Sequence, residues 1–121
     1  MEKPAVYKQV IDHLVEECKS GQGQIGPARA RQGVWNANAT ADFIPEQHKI
    51  NVLLSELTEE QRDILAGVLE QQFSAGVFES LKALEIFAIK PFEDGYEGSP
   101  YNDFIGRLTL DDWAWPDESQ R

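Results

Sequence analysis

The sequence predicts a single all-α domain of four to five helices, with a long glycine-rich loop after the first helix and an irregular tryptophan-containing C-terminal segment. Apolar residues recur every three or four positions from Pro45 to Lys90, and a proline or capping residue stands where each helix would begin. The chain has 121 residues, of which 41% are hydrophobic, enough to form one core.

The first helix is predicted over residues 4–19. Pro4 suits the first helical position, and Gly21 suits the position after the last. The apolar residues between them recur at helical spacing and predict the buried face: Tyr7, Val10, Ile11, Leu14 and Cys18.

Residues 20–44 are predicted to form a long loop. No helical or strand period is present, and glycines and a proline interrupt the segment: Gly21, Gly23, Gly26, Pro27 and Gly33. Loops of this length are uncommon in compact domains and are usually functional, disordered or occupied by a short element. The loop is therefore the best place to look for function. The chain has no acid between Glu17 and Asp42, whereas the rest of the protein is acidic, so the loop is also suited to dock onto that rest.

The central helices follow from two start signals. Pro45 opens one helix, in which Ile50, Leu53, Leu54 and Leu57 form the apolar stripe, and Thr58 forms a capping box with Gln61 that opens the next. Gly76 interrupts this second run and predicts a break or kink near Ser74, either within one helix or between two. Residues 86–90 fit either a buried last turn or a short strand.

The C-terminal quarter begins with Ser99 and Pro100, which suit the N-cap and first position of a last short helix. Beyond it, Leu110, Trp113 and Trp115 are too apolar to stay in water in a monomer, so we expect this segment to fold back onto the protein. Residues 117–121 are predicted to be a polar tail.

The charge and cysteine content restrict the classes of partner. A net charge of -10 disfavours unaided binding to nucleic acid or anionic lipid and favours a basic protein partner. Cys18 is the only cysteine, so no intrachain disulfide can form. Without a signal peptide or membrane span, the sequence predicts a cytoplasmic protein, and it leaves self-association into a homo-oligomer open.

Three segments together resemble a known family. They are Leu-Thr-Glu-Glu-Gln-Arg-Asp-Ile-Leu at residues 57–65, Tyr-x-Asp-Phe-Ile-x-Arg-Leu at residues 101–108, and Trp-x-Trp-Pro at residues 113–116, with the Gly76 junction between the first two. In this order they resemble a family of small bacterial proteins that is a domain of unknown function, over roughly the C-terminal half. The resemblance implies a bacterial origin and a complete small domain, and it transfers no active site or substrate.

The loop contains residue types that bind phosphate, carboxylate or a nucleobase. The candidate ligand-binding residues are Arg29, Arg31, Trp35, Asn36 and Asn38, which combine cations, a stacking surface and amides. The alternative is that both arginines pair with acids of this protein and that Trp35 anchors the loop to the core.

The C-terminal segment combines aromatic residues with acids, which is the composition of a protein-binding patch. The candidate partner-binding residues are Asp103, Asp111, Asp112, Trp113 and Trp115. The alternative is that the aromatic residues pack in the core.

No motif predicts catalysis, a cofactor or a metal. The Gly-x-Gly-x-x-Gly pattern at residues 21–26 follows an amphipathic helix instead of a buried strand and leads into Pro27, so it lacks the context of a dinucleotide site. His13 is five positions from Cys18, on a different helix face, and the metal-binding spacings are absent.

We therefore interpret the sequence as a small acidic protein-binding module of inhibitor, immunity or adaptor type, without catalytic activity. The first alternative is a small-molecule binder or enzyme that uses the loop for an anionic ligand. The second is an acidic mimic of nucleic acid, which requires carboxylates arrayed along one surface.

Overall fold

The computed structural model describes residues 5–88, 96 and 99–115. This part of the chain forms helices and no strand, which confirms the all-α prediction. The elements are α1 (Ala5–Lys19), a short 3-10 helix (Gln22–Gln24), α2 (Ile25–Gln32), α3 (Pro45–Glu56), α4 (Glu59–Ile86) and α5 (Pro100–Thr109). None of the helices described is long and apolar enough to cross a bilayer.

The backbone divides into two compact units. The central unit is Ser20–Ser74, and the terminal unit consists of the described residues within Met1–Lys19 and Ala75–Arg121. Helix α4 begins in the central unit and ends in the terminal unit. The single domain stays a prediction, and the predicted polar tail lies outside the described residues.

In the terminal unit, α1 packs against α5. The residues of α1 that become buried are Tyr7, Ile11, Val15 and Cys18. Val15 is buried, whereas the predicted Val10 and Leu14 are only half-buried. The buried residues follow one another at steps of four, four and three, which shifts the buried stripe slightly around the helix.

The predicted C-terminal helix is confirmed, with Ser99 as its N-cap and Pro100 at its start. The chain then folds back as expected at Trp115, which is 2% exposed, whereas Leu110 remains 54% exposed, contrary to the prediction. Gly106 permits this return: a Cβ at this buried position would lie 2.5 Å from Nε1 of Trp113, too close for any side chain to fit without displacing the indole.

The core of the central unit joins α2, α3 and α4. Its buried residues are Ala30, Leu54 and Ala66, one from each helix. Half-buried apolar residues pack around them: Trp35, Ile50, Leu57, Leu65 and Leu69. Three of the four residues predicted for the stripe of α3 therefore reach this core, whereas Leu53 is 52% exposed.

The structure differs from the predicted long loop, because residues 22–32 are helical. Pro27 lies in the first turn of α2, where its missing N–H is not needed. Gly33 ends α2 in the left-handed region at φ +80°, and its N–H donates to the carbonyls of Arg29 and Ala30. Pro27 and Gly33 thus delimit a short helix, and irregular backbone remains at residues 20–21 and 33–44.

The start signals of α3 and α4 are confirmed. Pro45 is the first residue of α3. Gln61 N–H donates to Thr58 Oγ1 at 3.1 Å, and Thr58 N–H donates to Gln61 Oε1 at 2.9 Å, which is the predicted capping box. The residue before Pro45 is unusual: Ile44 is β-branched yet has φ +53° and ψ +61°, a strain that costs about 1–3 kcal/mol.

Of the two arrangements predicted around Gly76, the pair of helices that meet near Ser74 is wrong and one continuous helix is confirmed, because α4 runs through Gly76 to Ile86. A kink within this helix stays a prediction. A glycine inside a helix costs only about 1 kcal/mol, less than the loss of neighbouring helical hydrogen bonds. At the end of α4, Phe87 and Ala88 form a turn, and Phe87 is 76% exposed. The strand and the buried last turn are therefore both wrong for residues 86–88, and residues 89–90 lie outside the described part.

Candidate functional site

The clearest charged site of the central unit lies where the end of α2 meets the start of α4. Arg31 Nε donates to Asp63 Oδ1 at 2.9 Å, and both side chains are exposed, at 45% and 69%. An ion pair this exposed is worth only about 0.2–1 kcal/mol, so a competing charge can displace it.

This ion pair lies in an open depression of about 640 Å³, which we call the acidic depression. Its lining residues are Arg31, Thr58, Glu59, Glu60 and Asp63. Three carboxylates face one guanidinium there, so the depression is negative overall. Glu59 and Glu60 belong to the first turn of α4, where the helix dipole favours acidic side chains.

One side of α4 displays apolar residues next to this depression. Ile64 and Val68 are 63% and 48% exposed, and they lie one helical turn apart in the first half of α4. Each is two residues from the buried Ala66, which places it roughly 160° away around the helix axis. Gly67 lies between them, and a Cβ added there meets nothing within 4 Å. We call these three residues the apolar face of α4.

The predicted ligand-binding loop is tied to α3 by amide side chains. Asn51 Oδ1 accepts hydrogen bonds from the backbone N–H groups of Trp35, at 2.6 Å, and Asn36, at 3.0 Å. Asn51 Nδ2 donates to the Asn36 carbonyl at 2.7 Å, and Asn36 Nδ2 donates to Gln47 Oε1 at 2.5 Å. These contacts fix the loop and use the amide of Asn36 within the protein.

The other candidates of this set are distributed around the loop. The Arg29 guanidinium lies 5.7 Å from the centre of the Trp35 ring, and Trp35 itself packs against the core of the central unit. Asn38 is exposed and donates its N–H to Asn36 Oδ1. The structure therefore brings Arg29 to Trp35 and Asn36 to Asn38, while Arg31 is engaged by Asp63. Binding of an anionic ligand by this set stays a prediction.

In the terminal unit, Asp103 is the centre of a buried polar network. The Tyr7 hydroxyl donates to Asp103 Oδ2, and Tyr96 N–H donates to the same oxygen at 2.7 Å. Tyr7 and Asp103 are both fully buried. Burial, together with the hydrogen bond and negative charge of Asp103, raises the pKa of Tyr7 far above its usual value, so the hydroxyl keeps its proton and remains a donor.

Asp12 of α1 holds the segment that follows α5. Trp115 Nε1 donates to the Asp12 carboxylate at 3.1 Å, and Arg107 Nε donates to it at 3.1 Å. Arg107 also donates to the Trp113 carbonyl at 3.2 Å, and its guanidinium lies 5.7 Å from the Trp115 ring centre. Edge-to-face contacts of Trp115 with Tyr7 and Trp113 complete the packing.

The structure divides the predicted partner-binding residues between the interior and the surface. Asp103 and Trp115 are buried, Trp113 is half-buried, and Asp111 and Asp112 are exposed. An open depression of about 330 Å³ beside α1 and α5 includes Asp111 and Trp113 in its lining. The five residues are therefore not gathered on one surface, and their role in partner binding stays a prediction.

Sequence reasoning missed the residues that define the site described above. The sequence patterns give no role in a site to Asp63, Ile64, Val68 or Asn51. The signal for Ile64 and Val68 was present: Leu65 and Leu69 already supply the inward positions of the same turns. Within the described residues, no group of three or more histidine, cysteine or carboxylate side chains is placed to hold a metal.

The fold and these surfaces define a small all-α protein in which an exposed apolar helix face lies beside an acidic depression. The chain belongs to a family of unknown function (DUF6547), whose model matches residues 1–117. The resemblance noted in the C-terminal half is thereby confirmed and extends over nearly the whole chain. No curated protein and no solved structure matches the chain.

Proposed function

We propose that the chain is a small acidic protein-binding module without catalytic activity, which binds a basic protein through the first half of α4. The observation that supports this proposal best is the exposure of Ile64 and Val68 next to Asp63 of the acidic depression. Exposed aliphatic side chains rimmed by charge are typical of protein interfaces.

The apolar face of α4 supplies the affinity in this proposal. Full burial of an isoleucine or valine side chain contributes about 1.5–3 kcal/mol. Because Ile64 and Val68 remain exposed in the free chain, much of this free energy is still available when a partner buries them. The open space at Gly67 lets a partner approach the helix backbone closely beside them.

The acidic depression supplies the selectivity. Glu59, Glu60 and Asp63 present three carboxylates, and the whole chain has a net charge of -10, so the long-range field attracts a positively charged protein. A lysine or arginine of the partner would compete with Arg31 for Asp63 at low cost, because that ion pair is exposed.

The same geometry weighs against an anionic ligand at Arg31. Its guanidinium already donates to Asp63, and Glu59 and Glu60 line the same depression, so a phosphate or carboxylate there would meet repulsion. The basic-partner proposal therefore ranks above the small-molecule alternative.

In this proposal the chain is a bacterial, cytoplasmic protein and acts as an inhibitor, an immunity protein or an adaptor. The lone cysteine supports a reducing compartment, since Cys18 can form no intrachain disulfide and is 2% exposed. An antidote to a basic target would need the features found on α4, namely a negative surface and a compact apolar anchor.

A comparative capture experiment tests this function. The immobilised chain is exposed to native bacterial lysate beside the double variant Ile64→Ser/Val68→Ser, with Val6→Ser as the matched control because Val6 is also exposed, at 56%. We expect a basic protein in stoichiometric yield on the wild type and on the control, with at least about a tenfold loss on the double variant and release by high salt.

Two results would overturn the proposal. One is the absence of any stoichiometric partner. The other is a partner that the double variant retains as well as the wild type, which would place binding elsewhere on the chain.

A further inference from the structure

The four residues before Ile44 form a turn that is closed twice. Thr40 N–H donates to the Phe43 carbonyl at 2.8 Å, and Phe43 N–H donates to Thr40 Oγ1 at 3.0 Å. Both polar backbone groups of Phe43 are therefore paired with Thr40, and the direction of the Phe43 side chain is fixed by the backbone. We call residues 40–43 the recognition turn.

Ile44, which follows this turn and joins it to α3, has a strained backbone conformation. Ile44 lies in the left-handed region at φ +53°, where a β-branched side chain is strongly disfavoured, and it directly precedes Pro45. Its carbonyl accepts hydrogen bonds from the N–H groups of Gln47 and His48, so the strain is fixed by the first turn of α3. Asparagine or glycine would adopt this conformation at lower cost.

The recognition turn leaves the aromatic side chain of Phe43 in water. Phe43 is 58% exposed, and it is not among the residues that form the core of the same unit or pack around it. The strained Ile44 therefore directly follows an aromatic side chain that remains in water. Backbone strain at a residue beside such a side chain is a reason to look for function at that position.

We propose that the recognition turn inserts Phe43 into an apolar pocket rimmed by lysine or arginine on a partner protein. The inference rests on the proposed function and adds a second, separate contact to it. A preorganised aromatic side chain binds with little loss of conformational freedom, as in interface hot spots.

The charges beside Phe43 specify the rim of the pocket. Asp42 precedes it and Glu46 lies in the first turn of α3, and both are exposed. A basic rim on the partner would be complementary to both carboxylates, whereas an acidic or purely apolar surface would leave them unpaired. This complementarity selects a basic protein over a second copy of this acidic chain or an anionic membrane.

The test uses a phage-displayed library of cyclic random peptides as the probe, selected on the immobilised wild-type chain. Affinities of the enriched peptides are then measured in solution by fluorescence polarisation. We expect peptides rich in lysine, arginine and apolar residues that Phe43→Ala weakens by roughly tenfold or more. Thr40→Ala keeps the Phe43 ring but removes the hydroxyl that holds the Phe43 backbone, so it should weaken peptide binding several-fold. Circular dichroism confirms that each variant is folded.

Val34→Ala is the matched control, because Val34 is an exposed apolar residue of the same unit, at 44%, and should leave binding unchanged. Peptides that bind Phe43→Ala normally but are lost on Ile64→Ser would overturn this inference and leave the proposed function standing. Enrichment of no basic peptide would count against both.

Two further measurements decide between occupants. If sedimentation shows a wild-type dimer that Phe43→Ala converts to a monomer, the occupant is a second copy and the inference is wrong. If phosphatidylserine vesicles bind the wild type and not Phe43→Ala, the occupant is a membrane and the inference is equally wrong.

Discussion

The terminal and central units treat residues of the same kind in opposite ways. In the terminal unit, an acid and a tryptophan that suited a partner surface, Asp103 and Trp115, are buried. In the central unit, aliphatic residues that suited a core, Leu53, Ile64 and Val68, are exposed. The comparison teaches that the chemistry of a residue indicates where it can be stable, whereas the neighbouring elements determine where it lies.

The burial of Asp103 has a specific physical reason. A carboxylate is costly to remove from water unless hydrogen-bond donors replace the water, and Tyr7 and Tyr96 supply an O–H and an N–H to it. The exposure of Ile64 has the opposite reason, since Ala66 and its inward neighbours already occupy the side of α4 that faces the core of the central unit.

The largest expected loss of stability comes from a substitution of Trp115. Trp115→Ala removes a side chain that is 2% exposed, the ring contact with Tyr7 and the hydrogen bond to Asp12, so we expect a loss of about 3–5 kcal/mol in the free energy of unfolding. Urea denaturation followed by circular dichroism measures it. Phe87→Ala is the control and should change little, because Phe87 is 76% exposed. Equal losses for the two variants would contradict the burial of Trp115.

The next effect concerns the hydrogen bond from Tyr7 to Asp103. Tyr7→Phe keeps the ring but removes the donor from a buried carboxylate, so the free energy of unfolding should fall by about 1–3 kcal/mol near neutral pH. The raised pKa of Tyr7 adds a pH dependence, because above pH 10.0 the unfolded chain releases this proton while the folded chain keeps it.

The stability that Tyr7 contributes is therefore fully present below pH 10.0 and decreases as the pH rises above it. Denaturation curves at several alkaline pH values should show the difference between wild type and Tyr7→Phe shrinking in that range. Tyr101→Phe controls for the general effect of losing a tyrosine hydroxyl. A difference that stays constant above pH 10.0 would contradict the raised pKa.

A smaller effect of opposite sign is expected in α4. Gly76→Ala should stabilise the protein by about 0.5–1 kcal/mol, because the helix is continuous there and a Cβ at Gly76 meets nothing within 4 Å. Thermal denaturation measures the gain. Gly33→Ala is the contrasting variant and should destabilise, since φ is +80° and the added Cβ would lie 2.7 Å from Arg62 Nη1. Destabilisation by Gly76→Ala would argue for the break in α4.

The smallest expected effect on stability is that of a substitution at Ile64, and it tests directly whether this residue lies outside the core. Ile64→Ser should change the free energy of unfolding by less than about 0.5 kcal/mol, because the side chain is 63% exposed. Leu54→Ala, at a position 1% exposed, should cost about 2–5 kcal/mol in the same urea titration. If Ile64→Ser were as costly as Leu54→Ala, the apolar face of α4 would belong to the core.

The helix starts could be predicted from the sequence because their signals are local. Pro45, the Thr58 capping box and Pro100 act on their own turn and need no distant partner. Helix α2 was missed for a related reason: Pro27 in its first turn and Gly33 at its end have the same local appearance as breaks in a loop. Only the packing of Ala30 in the core distinguishes the two cases.

The candidate site was less predictable, because its contacts join distant positions. The count of acids suggested that Arg31 would find a partner, but the choice of Asp63 depends on how α2 and α4 meet. The burial of Asp103 likewise depends on Tyr7, which lies on another helix. The left-handed conformation of Ile44 is also unexpected, because an isoleucine in the sequence gives no sign of it.

Asn51 imposes a chemical limit on how the central unit can vary. Its side chain accepts two N–H groups and also donates one to the Asn36 carbonyl, which only an uncharged amide can do. Aspartate, the nearest isostere, would keep the acceptor but would place a second oxygen against that carbonyl. A single deamidation at this residue would therefore loosen the segment before α3, even though the molecule tolerates twenty-one acidic residues elsewhere.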